Sequence, residues 1–432
     1  MQTVGKMTKV SVINTEPMIY HVHPSGGWNY ITASLKKCIP DLVNEIIKHD
    51  TNNAFKHLII DTFIDKTFLW DSNASTTVYM DPWIGILHHP VGLQNSCIEV
   101  LKSQGFRRSL PSCIGIVVLT EYLASNIRQF ISDHPIGVPV FPPIHVIRHA
   151  ISPWVLEKDT EPQWDERKRV LIHVGQHGRD VEKFFQISCP LFSKYFCTNN
   201  YFLPAHTCED NKEFTWGRRV YTWFKGITRD RLDINISWSR FPIFNAMHPL
   251  PDMYNEHVSI TNRLNNDATI IFPNGCQHQK CTALPRLDPQ TYISVLRESI
   301  VYIHLVDASA VNTVLECVIT STPLIVNRHP AIVEVLGEDY MLYANTIEEA
   351  ESLLASGDMS TFYRASDYLG NIDMSNYKWD VFYSSLQCII FKEIWKNMIK
   401  DAQTEITLMP PCDLVKEGGI EYQKAKERFY KR

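Results

Sequence analysis

Apolar residues along this chain recur in two rhythms, short unbroken runs and helix-period stretches, and the two alternate. "KVSVI" (9–13), "HLIIDTF" (57–63) and "WIGILHHP" (83–90) have the unbroken apolar character of strands buried on both faces. "HPSGGWNYITASLKKCI" (23–39) predicts a glycine-containing loop running into a helix. "CIGIVVLTEYLASNIRQFI" (113–131) predicts a strand, a turn at Thr120 and an amphipathic helix, and "VFPPIHVIRHAI" (140–151) a further strand. Residues 152–168 are polar, with two prolines, and interrupt the pattern. "RVLIHVGQHGRDVEKFFQI" (169–187) restarts it, and from 299 it sharpens: "SIVYIHLVD" strand, "AVNTVLECVI" helix, "TPLIVN" strand, "PAIVEVL" helix. Two more helices follow, at "TIEEAESLLAS" (346–356) and "WDVFYSSLQCIIFKEIWKNMIK" (379–400), whereas 190–290 shows little beyond a strand at "ATIIFP" (268–273).

Alternation of this kind predicts parallel sheets covered by helices. The chain is therefore expected to be α/β, with two doubly wound halves: 1–155, a linker at 156–168, 169–378, and terminal helices from 379 to 432.

Bulk properties narrow the function classes. A net charge of −5 gives no overall basic bias of the kind that binds nucleic acid. Eleven scattered cysteines fit reduced thiols better than a disulfide framework. No apolar run approaches the roughly 20 residues that span a bilayer, and "MQTVGKMTKVSVI" lacks the apolar core of a signal peptide. A soluble, cytoplasmic protein is expected. The basic tail "KAKERFYKR" (424–432) leaves peripheral contact with a membrane or an anionic acceptor open beside an ordinary solvated terminus.

In a parallel sheet, ligands bind beyond the carboxyl ends of strands. Four places qualify. Gly26-Gly27 precede a helix and permit close backbone approach, as a plain surface turn would. His88-His89 end a buried strand, and alternation turns only one of them into a cleft. In "GQHGRDVEK" (175–183), Arg179 and Lys183 lie four apart and are expected on one face of a helix start, where two cations would suit a diphosphate. Finally, "YIHLVD" delivers Asp307 to a strand end, Ser309 or a neighbour opens a helix, and Asn312, Thr313 and Glu316 share its first turns.

Glu316 is the informative residue, because it stands among Val311, Val314, Leu315 and Val318 at helical spacing. A buried carboxylate costs several kcal/mol unless its lone pairs are satisfied. A vicinal diol, as on ribose, would satisfy it; a core Arg or Lys would do so equally well. "CQHQKC" (276–281), with His206 and Cys208 upstream, has a spacing unlike standard zinc sites, so no metal site is expected there.

The run "LVDASAVNTVLECVITSTPLIVNRHPAIVEVLGEDYMLY" (305–343) resembles the donor-binding region of GT-B-fold glycosyltransferases, particularly the retaining family-four type and related enzymes of giant viruses and bacteria. "VLIHVGQHGR" looks like the strand and phosphate loop that open the second domain of such enzymes, and "GIVVLTEYLASNIRQF" and "ILHHP" like late elements of the first. The resemblance implies two Rossmann-like domains facing across a cleft, with C-terminal helices crossing back. It implies transfer of a sugar from a nucleoside diphosphate to a glycan or other hydroxyl acceptor, with retention. Glu316 would grip the ribose, Glu334 would take the following acidic position, and Arg179 and Lys183 would hold the diphosphate. The first of the family's paired glutamates falls on Ala308, and Asp307 would take over its contact with the sugar. His88 or His89, with Gly26 and Gly27, would lie near the reacting carbon. Without an Asp-x-Asp triplet, the reaction is expected to need neither metal nor cofactor beyond the nucleotide sugar. A sugar-nucleotide epimerase, a glycan phosphorylase and a non-catalytic nucleotide-sugar-binding module are the alternatives on the same fold.

Overall fold

The computed structural model describes residues 9–14, 27–49, 57–93, 97–134, 141–151, 169–175, 178–197, 269–270, 281–284, 287, 289–355 and 357–402. Two sheets organise these residues. The first contains β1 (Lys9–Ile13), β2 (His57–Asp61), β3 (Trp83–Leu87), β4 (Cys113–Val118) and β5 (Ile144–Val146), all parallel and in chain order across the sheet. The second contains β6 (Val170–Val174), β7 (Ser193–Cys197), β8 (Thr269–Ile270), β9 (Cys281–Leu284), β10 (Ile300–Ile303) and β11 (Leu324–Val326). Its order is β11-β10-β6-β7-β9-β8, parallel except for the β8–β9 pair. The α/β class and the parallel sheets agree with the expectation from the sequence.

The strands are largely apolar because helices pack against the sheets, on both faces of the first. β3 and β10 are buried at every position. On one face of the first sheet lie Ile31, Leu35, Leu42 and Ile46 of the Trp28–His49 helix. The same cluster contains Phe382, Leu386, Ile389, Ile390 and Phe391 of the Trp379–Ala402 helix, so the last described helix completes the core of the first sheet. The other face packs against the helices Cys97–Lys102, Gln104–Ser109 and Glu121–Asp133. Thr120 caps the last of these, its side chain accepting from Leu123 N at 3.2 Å, where the sequence predicts a turn. Around the second sheet, one continuous cluster joins its strands to the helices Val181–Gln186, Pro289–Arg297, Asn312–Ile319, Pro330–Leu336, Ile347–Ala355 and Ser360–Gly370. Among the described residues no helix is long and apolar enough to cross a membrane.

The two strand orders differ in one respect that positions chemistry. In the second sheet the chain begins at β6, moves outward through β7, and later returns to place β10 on the other side of β6. The loops leaving β6 and β10 lie where the strand order reverses, and such reversals are where α/β sheets bind ligands.

Candidate active site at the strand reversal

The loop after β6 turns on Gly175 and Gly178, with φ of 76° and 71°, in the left-handed region where a side chain is strained. A Cβ on Gly178 would also stand 2.9 Å from the Asp307 carbonyl oxygen. This close approach lets the loop zip onto the end of β10: Val306 N donates to Gly178 O at 2.9 Å and Asp180 N to His304 O at 2.7 Å. Asn327, just past β11, holds the opposite side, accepting from Leu305 N at 2.7 Å and donating to Leu305 O at 3.0 Å.

Arg179 sits in this zipped loop, bridged to Leu305, and the helix begins only at Val181. The sequence expectation of one helix face for Arg179 and Lys183 is thus corrected: pairing with 304–306 holds the chain extended through Arg179. Its guanidinium is turned back across the reversal, donating to Val174 O and, at 3.0 Å, to Thr313 Oγ1. Burial lowers the Arg179 pKa, against the opposing influence of Tyr292 and Glu316. Lys183 takes a different partner, with Nζ 2.7 Å from Nε2 of His304. Burial and the neighbouring Lys183 push His304 down to about 4, so its neutral ring accepts from the ammonium.

The Asn312–Ile319 helix starts beside this loop, where Thr313 accepts from Arg179. Its N-cap is Val311 and not Ser309, so no side chain caps it and the first amides keep their donor capacity. Glu316, one turn down, is 9% exposed. Its Oε2 accepts from the Tyr292 hydroxyl at 2.7 Å, and no salt bridge ties it to Arg179 among the described residues. Burial raises the Glu316 pKa; the Tyr292 hydroxyl and the Arg179 charge oppose this. Three buried polar atoms at this mouth have no hydrogen-bond partner among the described residues: Arg179 Nε, Ser309 Oγ and His304 Nδ1. Buried polar groups are almost always satisfied, so a cluster of exceptions marks a place built for something else.

Asp307 is buried and heavily bonded. Its Oδ1 accepts from Ala308 N (2.7 Å), His329 Nε2 (3.0 Å) and Tyr122 OH (3.1 Å), and its Oδ2 from Gly92 N (2.5 Å). Gly92 and Tyr122 belong to elements of the first sheet, so this carboxylate ties the two sheets together. Burial alone would raise its pKa, but the hydrogen bonds from His329, Gly92 and Ala308 outweigh that and hold it below the ordinary range. His329 Nδ1 accepts from Ala331 N at 3.2 Å, which leaves the proton on Nε2 to donate to Asp307. Glu334 likewise reaches across. Its oxygens accept from the backbone N of Glu121 (3.0 Å) and Tyr122 (2.6 Å), and it pairs with Arg148. A carboxylate from one side thereby caps the first helical turn of the other.

On the facing edge, Gly27 has φ of 53° and opens the Trp28–His49 helix, its carbonyl accepting from Tyr30 N; Gly26 lies outside the described residues. His88 and His89 follow β3 and diverge. His88 packs between Trp28 and Phe63, at ring separations of 4.2 and 4.4 Å, with Nε2 2.9 Å from Thr62 O. His89 Nδ1 lies 3.2 Å from Asp65 Oδ1, and Asp65 also accepts from the backbone N of both histidines. Burial pushes the Asp65 carboxyl up, but the bond from His89, the nearby imidazoles and the His88 amide outweigh it, so its pKa is lowered.

Several functional neighbours escape a reading by pattern. Asp61 and Asp65 stand four apart inside the apolar stretch 57–70, the same signal that singles out Glu316, and both are buried. Tyr122, Arg148, Tyr292 and His329 carry no local signal, because each acts on a residue remote in the chain. Of "CQHQKC", only the Cys281 end is described; His206 and Cys208 lie outside the described residues. Among the described residues no three His, Cys, Asp or Glu side chains converge as a metal-ligand set.

No family model matches the sequence, and no curated protein does. Solved structures do resemble it. An α,α-trehalose 6-phosphate synthase from Burkholderia multivorans aligns over 85% of this chain and 77% of its own, at 11% identity and a TM-score of 0.46. A UDP-forming α,α-trehalose-phosphate synthase from Burkholderia xenovorans aligns over 84% and 78%, at 13% identity and a TM-score of 0.45. A mutant of S. aureus TarM, in complex with fondaparinux, α-GlcNAc-glycerol and UDP, aligns over 82% and 57%, at 10% identity and a TM-score of 0.43. These are likenesses of overall architecture at low identity.

Proposed function

We propose that this chain is a glycosyltransferase that moves a sugar from a nucleoside diphosphate to a glycan or other hydroxyl acceptor, with retention and without a metal, in the cytoplasm. The observation that carries the reading is the convergence, at one strand reversal, of unsatisfied buried polar atoms, an uncapped helix start and a half-satisfied buried carboxylate. Glu316 offers its remaining lone pairs to the two hydroxyls of a ribose, while Tyr292 keeps the other oxygen in place. Arg179, Lys183 and the free amides at Asn312 and Thr313 take the diphosphate, a role for which helix starts and guanidinium groups are suited. Ser309 adds a hydroxyl at the same mouth. Asp307 orients the donor sugar by ordering the loop that faces it. Glu334 serves that site by holding the two sheets together.

Catalysis on this plan is positioning plus electrostatic stabilisation of the departing diphosphate. Residues 1–155 would present the acceptor and 169–378 the donor; the linker at 156–168 lies outside the described residues. The test is calorimetric titration with UDP, GDP and TDP. One of them is expected to bind, and Glu316→Gln or Arg179→Ala to weaken it tenfold or more while circular dichroism is unchanged. Unaltered affinity in both variants refutes the assignment.

A further inference from the structure

Lys183 donates to a histidine, although both side chains become cations when protonated. Its Nζ lies 2.7 Å from His304 Nε2. An ammonium only donates, so Nε2 is the acceptor and the one proton of the neutral ring sits on Nδ1. His304 is 8% exposed, and its Nδ1 has no hydrogen-bond partner among the described residues. The backbone holds the pair together. Asp180 N donates to His304 O at 2.7 Å, which fixes the start of the Val181–Gln186 helix, and with it Lys183, against the end of β10. Burial and the Lys183 charge keep the ring neutral, whereas the Asp180 carboxylate favours a proton there. Tyr302, two positions earlier in the chain, also feels Asp180. On the Ile347–Ala355 helix, the exposed carboxylate of Glu348 is under the influence of Lys183. Once Lys183 turns elsewhere, Asp180 is the charge that acts on His304, and the electrostatic preference changes sign.

We propose that Lys183 exchanges His304 for the diphosphate of the nucleotide sugar, and that His304 takes up a proton as the donor binds. The Lys183 N–H···Nε2 bond breaks, that N–H goes to a phosphate oxygen, and a proton from solvent adds to the Nε2 lone pair so released. A buried lone pair that has lost its donor is costly, and negative charge arriving beside an imidazole favours its cation. His304 acts through Lys183 and is a positioning residue. Because the ring holds its proton more tightly with donor bound than without, affinity rises as pH falls towards the unbound value of about 4. This inference rests on the reading above, in which Lys183 takes the diphosphate, and names how that site responds to pH.

Calorimetric titration of the full chain with UDP- and GDP-hexoses, in pairs of buffers with different ionisation enthalpies, counts the protons and needs no variant. Nucleotide sugars are the probe because they lack the terminal phosphate that titrates near about pH 6 in a free diphosphate. Net proton uptake is expected at pH 5.5, and affinity should rise roughly tenfold between pH 7.5 and pH 5. His304→Gln and His304→Asn keep an acceptor for Lys183 but cannot hold a charge, so uptake should vanish and affinity should stay level over that range. In the full chain labelled with nitrogen-15 histidine, the His304 signals should pass from the Nδ1–H tautomer to the imidazolium on loading. Binding without proton uptake overturns the proposal. So does uptake that persists in both variants, or a His304 ring that stays neutral in the loaded protein at pH 5. Absence of binding by every nucleotide sugar at every pH would instead sink the glycosyltransferase reading itself.

Discussion

The carboxyl edges of the two sheets handle buried acids in opposite ways. On the first, Asp61 accepts from Asn14 (2.8 Å), Phe63 N (3.0 Å), Thr67 (2.6 Å) and Tyr79 (3.0 Å), and Asp65 from three groups of the histidine turn. On the second, Glu316 has one side-chain donor, and Arg179, Ser309 and His304 each retain a buried atom without a partner among the described residues. The difference follows from topology. The first sheet is laid down in chain order, so successive loops lie side by side, and groups from them satisfy Asp61 and Asp65. The second reverses between β6 and β10, the kind of switch point at which α/β sheets bind ligands. A saturated acid positions its neighbours; a partly satisfied one keeps the capacity to bind.

The sharpest way to break this contrast is at Asp307, an acid of the second edge that is saturated, and saturated across both sheets. Asp307→Ala strands four donors, two of them from first-sheet elements. A loss of roughly 3–5 kcal/mol in urea unfolding is expected, with a smaller loss for Asp307→Asn. A neutral Asp307→Ala would show that the tether contributes nothing.

His304 comes next. Its folded pKa, about 4, lies below the ordinary value of 6.5, so the unfolded chain takes up the proton first. The associated stability is present above pH 6.5 and is lost as pH falls from there towards 4, by up to about 3 kcal/mol. Lys183 and Asp180 are the charges that face it. His304→Gln should flatten that limb of the stability–pH curve, which thermal melts at pH 7 and pH 5 would read.

Glu334 tests whether the cross-sheet cap matters energetically. Glu334→Gln removes the charge on the Glu121–Asp133 helix start and the pair with Arg148, and is expected to cost about 1–2 kcal/mol. Arg148→Ala in the same background should then add little, which a double-mutant cycle checks.

Glu316→Gln has the smallest expected effect on stability, and the opposite sign. The raised Glu316 pKa means that ionisation costs the fold stability above the unfolded value near 4.5. The amide should therefore raise stability at neutral pH by about 1 kcal/mol, with the gain shrinking as pH falls through the folded pKa. Stabilisation of the empty protein together with weaker nucleotide binding is the signature of a binding residue held under tension. A loss of stability would instead make Glu316 a structural partner of Tyr292.

Much of this is legible along the chain because it depends on near neighbours. Apolar runs bounded by turns locate β1, β3, β4 and β10; Thr120 announces its helix; Glu316 stands out against Val314, Leu315 and Val318. Pattern alone draws the start of the Asn312–Ile319 helix back towards Ser309, since a serine is a far commoner cap than the valine that serves here. It also puts Arg179 on a helix, because the spacing from Lys183 fits one, and nothing local reports that residues 304–306 draw it out of helical geometry.

The sequence by itself located β1 to β6, β10, β11 and the helices that follow most of them, and singled out Glu316 as a carboxylate among apolar neighbours, because periodicity and burial are properties of residues a few positions apart. Only the tertiary structure decided what the buried carboxylates hold. Asp307 meets Gly92 and Tyr122, Glu334 meets a helix start more than two hundred positions earlier, and Glu316 is left with Tyr292. Hydrogen bonds act over about 3 Å, whereas the chain between these partners runs through whole strands and helices, so the order in which strands enter the sheets, and not the spacing of residues, chooses who meets whom.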